Sequence, residues 1–169
     1  MKLKQYIIVF SIIGVLIGCE KQKSYDLLIR NGIILDGSGE KSFKGSIAIN
    51  ADTIVAIGDL KNVVGEVEID ASGLTVAPGF INMLSWANVS LIEDGRSQGD
   101  IRQGVTLEVM GEGRSMGPLN ETMKKEMKES QQNITYDIEW TTLGEYLEYL
   151  EEKGVSTNIA SFVGNGTLR

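Results

Sequence analysis

A change of hydrophobic rhythm near residue 74 is the feature that most narrows what this chain can fold into. Before it, short runs of strand-forming residues follow one another with only Gly, Asn and Asp between them. Tyr25 to Leu35 reads as two strands split by a turn at Asn31-Gly32, and Asp36-Gly37-Ser38-Gly39 is a loop. Ser46 to Asn50, Thr53 to Ile57 and Glu66 to Ile69 are further strands, and their spacing predicts a small antiparallel sheet, part of a sandwich. After the change, strands alternate with helices. Leu74 to Ile81 is a buried-type strand broken at Pro78-Gly79, Val89 to Gln103 contains a helical stretch, and Val105 to Met110 is a strand. Leu119 to Gln132 is helix-prone with Asn120 as N-cap. Thr142-Leu143-Gly144-Glu145 forms a capping box that opens a helix through Lys153, which Gly154 ends. Val155 to Val163 is the next strand. Strand, helix, strand, helices, strand is a βαβ series, so the fold class is α/β.

Three parallel-type strands do not close a (β/α)8 barrel, which takes roughly 250 residues. The second segment, residues 74–169, therefore reads as the first strands and helices of an incomplete TIM barrel, and the chain as the N-terminal part of a longer protein. A complete small α/β domain is the other reading. Residues 25–73 form the partial sandwich. The formal net charge is −7 with a pI near 4.7, and no Lys/Arg run offsets it, which argues against nucleic-acid binding.

The first residues belong to a different class. Met1, Lys2 and Lys4 give a basic start, and Tyr6 to Ile17 is a twelve-residue apolar run, short for a bilayer span. Leu16-Ile17-Gly18-Cys19 follows. That order predicts an export signal over residues 1–18. The ending resembles a bacterial lipobox, which implies cleavage before Cys19, its lipidation, a tether over residues 19–24 and a membrane-anchored place in the cell envelope. An uncleaved N-terminal anchor is the alternative. Cys19 is the only cysteine, so lipidation would leave no thiol for a disulfide, a metal or catalysis.

The runs YDLLIRNGIILDGSG, GSIAINADTIVAIGDL and IDASGLTVAPGFIN, followed by GVTLEVMGEGRS and SFVGNGTLR, resemble the amidohydrolase superfamily, in its D-aminoacylase or N-acyl-D-amino-acid deacylase branch. The resemblance covers about residues 25–169. It implies hydrolysis of a non-peptide C–N bond in an N-acylated amino acid or small peptide, with a divalent metal, usually zinc, activating water. In that family the first barrel strand ends in Gly-Phe-Ile-Asp-x-His-x-His. Alternate residues of a strand point the same way, and neutral imidazole is a good zinc donor. The matching positions here are Asn82, Leu84 and Trp86, and the chain contains no histidine. The zinc that the family implies is therefore not supported by the ligands in this chain.

Glu112 stands at the family's second ligand position, and reads equally as a solvated loop acid. Asn165 replaces the histidine of the family's third segment, and Arg169 keeps a position from which it could hold a substrate carboxylate. Glu93-Asp94-Gly95-Arg96-Ser97 and Glu112-Gly113-Arg114-Ser115 echo each other, making Arg96 and Arg114 candidates for an anionic substrate group, although turn chemistry explains the echo as well. Trp86 would line such a pocket or pack in the core. Beside the hydrolase stand two other readings: a non-catalytic envelope lipoprotein that binds a ligand, and a truncated product with no activity of its own.

Overall fold

The computed structural model describes residues 22–169. Cys19 and the N-terminal signal reading lie outside the described residues. No helix among the described residues is long and apolar enough to cross a membrane. The chain divides into two compact units, Met1–Pro78 and Gly79–Arg169.

In the first unit, one long strand organises the others. Strand β1 (Lys23–Ile34) pairs antiparallel with β2 (Phe43–Asn50), which pairs antiparallel with β3 (Thr53–Gly58). On its other edge β1 pairs parallel with β4 (Val63–Asp70) and then with β5 (Thr75–Val76). The sheet is therefore mixed, which corrects the antiparallel expectation. The reason is the connection 59–62. It returns the chain to the starting end of β1 instead of reversing it beside β3, and places Leu60 against the core of Tyr25, Leu28 and Ala48.

Asn31-Gly32 is likewise not a turn between two strands. Both halves of β1 pair with β2, and the register slips between Ile29 and Gly32. Asn31 takes the left-handed conformation at φ 61° and its side chain donates to Asp70 Oδ1 at 2.9 Å. The dipeptide supplies one positive φ, which serves a bulge as readily as a hairpin. A Cβ on Gly32 would come within 2.7 Å of Val76 Cγ2, so this glycine also lets β5 approach. Beyond the bulge β1 exchanges its neighbour β4 for β5, which keeps Leu74–Pro78 with the first unit. Arg30 clamps β1 to β4 through Glu68, at 2.9 and 3.0 Å. Its guanidinium, aided by the Gly65 amide, holds the Glu68 carboxyl down at about 2.

The second unit is a parallel sheet ordered β6 (Phe80–Ser85), β7 (Val105–Met110), β8 (Asn158–Ser161). Between β6 and β7 lie two single-turn helices, α1 (Ser90–Glu93) and α2 (Gln98–Ile101), where the sequence suggested a longer helical stretch. Gly95 breaks that stretch because it packs against Gly154: a Cβ there would sit 2.7 Å from the Gly154 carbonyl oxygen. Helix α3 (Glu121–Glu129) is capped by Asn120, which accepts from the Met123 amide at 2.9 Å. Helix α4 (Leu143–Lys153) begins with the full capping box of Thr142 and Glu145 and ends at Gly154, φ 81°. The last helix is α5 (Asn165–Leu168).

The core of this unit gathers Leu91 and Ile92 from α1, Met110 from β7, Met116 and Leu119 from the following loop, Trp140, and Tyr146 and Leu150 from α4. Trp140 is its centre although it belongs to no helix or strand. Its indole N–H donates to the Met116 carbonyl at 2.6 Å, and the rings of Tyr136, Tyr146 and Tyr149 lie 6.2, 5.1 and 5.2 Å away.

Candidate functional site

Two glycine-rich loops carry most of the residues that the sequence singled out. One follows β7 and holds Glu112 and Arg114; the other follows β8 and runs into the single turn of α5, which opens at Asn165 and has Arg169 as its C-cap. They are pinned to each other. The Gly164 amide donates to Ser115 Oγ at 3.0 Å, the Gly166 amide to the Gly113 carbonyl at 2.9 Å, and the Ser115 amide to Thr167 Oγ1 at 2.8 Å. Ser115 Oγ in turn donates to the Gly117 carbonyl at 2.6 Å, so the buried hydroxyl is satisfied in both senses.

The glycines are there because the backbones nearly touch. A Cβ at Gly164 would lie 2.7 Å from Arg114 Cα, and one at Gly111, whose φ is 83°, would lie 2.5 Å from the Phe162 carbonyl oxygen. In consequence the backbone at 113–115 lies against that at 164–166, and Glu112, Arg114 and Asn165 are all exposed beyond the carboxyl ends of two parallel strands. The Arg114 side chain runs past Gly166, where a Cβ would meet its Cγ at 3.3 Å. Arg114 and Arg169 form no ion pair among the described residues.

Arg96 is not part of this group. The Gly95 carbonyl beside it accepts from Ser156, just before β8 begins, so Arg96 lies at the starting end of the strands. There it is held by Asp94 in a two-pronged pair at 2.8 and 2.7 Å, and its guanidinium holds the Asp94 carboxyl down at about 2. The echo between the two Gly-Arg-Ser segments is thus a likeness of sequence between opposite ends of one sheet.

The end of β6 carries an apolar face. Leu84 is 52% exposed and Trp86 82% exposed, while Ser85 between them is buried. That alternation is the period of a strand. Asn82 turns its Oδ1 onto the Leu84 amide at 3.2 Å. Among the described residues, no group of three or more His, Cys, Asp or Glu is placed to hold a metal ion. Glu112 belongs to no such group, the chain has no imidazole, and the donor set that Glu112 and Asn165 offer at these strand ends, one carboxyl and one amide, does not fit zinc.

On the other face of the sheet is a residue that the sequence reading passed over. Glu108 of β7 is 0% exposed. Its Oε2 accepts from Ser85 Oγ at 2.5 Å, and its Oε1 from Ser97 Oγ at 2.8 Å and Thr157 Oγ1 at 3.2 Å. No Lys or Arg pairs with it among the described residues. The available signal was a lone acid in the apolar run VTLEVM.

No family model matches the chain. It is 33% identical over 147 residues to the D-aminoacylase of Alcaligenes xylosoxydans xylosoxydans, an alignment that takes in 86% of this chain and 30% of that protein. A solved D-aminoacylase, studied for the role of its binuclear metal centre, superposes with a TM-score of 0.74 at 28% identity over 85% of this chain and 30% of its own. An N-acyl-D-glutamate deacylase from Bordetella bronchiseptica, solved with zinc and a phosphonate inhibitor, superposes with a TM-score of 0.72 at 25% identity over 86% of this chain and 31% of its own. The homologues of this chain are thus D-aminoacylases and N-acyl-D-amino-acid deacylases, enzymes of the amidohydrolase kind. The chain spans about 30% of the length of the curated relatives it matches.

Proposed function

We propose that this chain is the opening part of an amidohydrolase-type (β/α)8 barrel, and that the protein carrying it hydrolyses the amide bond of an N-acylated amino acid or small peptide. What supports the reading is the extent of the likeness: 85% of the chain follows a D-aminoacylase at a TM-score of 0.74, with β6, β7 and β8 in parallel order. In such a protein the pinned loops after β7 and β8 form part of the rim at the carboxyl ends of the strands, where barrels of this class keep their chemistry. Arg114 and Arg169 offer forked donors for the substrate carboxylate, Asn165 offers an amide for the acyl carbonyl, and the pinning fixes the backbone from which Arg114 and Asn165 project. The bond-breaking groups belong to strand ends other than those described.

The test compares the full-length protein with residues 20–169 on a panel of N-acetyl-D-amino acids. Turnover by the full-length protein and none by residues 20–169 is the expected outcome. A folded full-length protein that binds the acids without cleaving them would sink the hydrolase. That result favours the second reading, an envelope protein that binds such ligands, which the apolar replacement at Leu84 and Trp86 supports.

The protein is also proposed to be a lipoprotein of the bacterial envelope. The basis is sequence alone: Lys2 and Lys4, the apolar run to Ile17, and Gly18-Cys19. Cys19→Ser is expected to block processing and leave a longer precursor on a gel. A variant cleaved and fractionated like the parent would exclude lipidation at Cys19.

A further inference from the structure

We infer that the end of β6 contributes no ligand to any metal this protein binds, and that the cause is two side chains on a strand whose geometry would otherwise accept an ion. Exposure alternates over the last three positions, 84 to 86. Leu84 and Trp86 stand out on one side, and Ser85 points into the protein on the other. Pairing with β7 is parallel, slips in register between Asn82 and Ser85, and resumes with Ser85 opposite Met110, so position 86 lies level with the start of the loop that carries Glu112.

What is missing is donor chemistry. A hydrocarbon and an indole have no lone pair to give a metal. The polar atoms nearby are already engaged. Asn82 Oδ1 accepts from the Leu84 amide, and Ser85 Oγ both accepts from the Ala87 amide at 3.1 Å and donates to Glu108. Glu108, the one buried acid of the sheet, faces away from Leu84 and Trp86 and is saturated by three hydroxyls. Glu112 remains as a single exposed carboxyl, too little for a transition metal, which takes about four donors with imidazole or thiolate among them. The inference stands apart from the question of hydrolysis, since it concerns where an ion can be held and not what is cleaved.

Cobalt(II) is the probe, because its visible absorption reports coordination directly and needs no turnover. Residues 20–169 are titrated with cobalt and with zinc. No saturable absorption and no stoichiometric zinc uptake are expected. The double variant L84H/W86H alters two exposed positions, so its fold should persist, and it is expected to develop a saturable cobalt spectrum that Glu112→Gln weakens. In the full-length protein, Leu84→Ala and Trp86→Phe should leave metal content unchanged. Stoichiometric zinc on the unaltered residues 20–169, or metal loss in the full-length Leu84→Ala protein, would overturn the inference. So would a folded L84H/W86H protein that binds no cobalt, because the failure to hold an ion would then lie in the geometry and not in these two side chains.

Discussion

Trp140→Ala is expected to lower the stability of the second unit by about 3–5 kcal/mol, the usual cost of removing a fully buried tryptophan from a core. Trp140 is 1% exposed and touches three tyrosine rings. It also closes a hydrogen-bond circuit around the loop between β7 and α3. Its indole N–H donates to the Met116 carbonyl, and next to it the Leu119 amide donates to the Thr141 carbonyl at 2.7 Å. Alanine would therefore leave both a cavity and a buried carbonyl without its donor. Trp140→Phe separates the two effects. It keeps most of the ring contact and loses only the donor, so its cost should be nearer 1–3 kcal/mol, on the order of one unmade buried hydrogen bond. Urea unfolding of residues 20–169, followed by far-ultraviolet dichroism so that loss of the indole does not remove the signal, measures both. A Trp140→Ala midpoint within error of the parent would contradict the central place given to this residue.

The importance of Trp140 could not be read from its neighbourhood in the chain. Residues 130–141 have neither the helical nor the strand period, and the indole is buried by elements that come before and after it in sequence. What the sequence did carry was local chemistry. Asn120, the Thr142–Glu145 box and Gly154 were all legible as helix ends, because a cap is made by atoms within a few residues of each other. Asn31-Gly32 shows the limit of that kind of signal. Asn31 takes the positive φ that such a dipeptide favours, but whether the chain then reverses or only bulges depends on β2 and β5, which the dipeptide does not see. The same holds for sheet direction: β4 runs parallel to β1 because of where the connection 59–62 delivers it.

At the candidate site, order along the chain placed Glu112, Arg114 and Asn165 after strands, and the glycines of MGEGRS and VGNGTLR are what allow the two loops to interlock. Their adjacency itself is a product of the β7–β8 pairing. Arg96 shared their local motif and not their location, because the loop that bears it has already turned back toward the start of β7.

Glu108 should be the costliest polar residue of the second unit to replace. Its carboxyl ties together three segments: Ser85 at the end of β6, Ser97 before α2, and Thr157 before β8. Proton counting shows how completely. Ser85 Oγ accepts from the Ala87 amide on one lone pair, and its single hydrogen goes to Glu108 Oε2. Ser97 Oγ has one hydrogen and two acceptors in reach, Glu108 at 2.8 Å and Asp100 at 3.2 Å, and the shorter contact goes to Glu108. Ser97 itself is held at φ 43°, an uncommon conformation for a residue with a side chain, and the bond to Glu108 is one of the contacts that hold it there. Glu108→Ala removes the acceptor for three hydroxyls and opens a cavity, and a loss of roughly 3–5 kcal/mol is expected from those terms together. Glu108→Leu fills the cavity but leaves the hydroxyls unanswered, so it should recover only part of that loss. Glu108→Gln keeps the shape and one oxygen, and a rotated hydroxyl can accept from the new amide, so its cost should be about 1–2 kcal/mol. The expected order of unfolding midpoints is parent, Gln, Leu, Ala. Some buried polar groups are replaced by apolar ones with no loss, or with a gain, when the partners are replaced as well. Here the partners stay, and the order of Gln above Leu follows from that. Glu108→Leu matching or exceeding the parent would mean that the three hydroxyls find other acceptors and that Glu108 does not hold the strand ends in place. A double-mutant cycle of Ser85→Ala with Glu108→Gln then gives the coupling across the shortest bond, expected at about 1 kcal/mol or more.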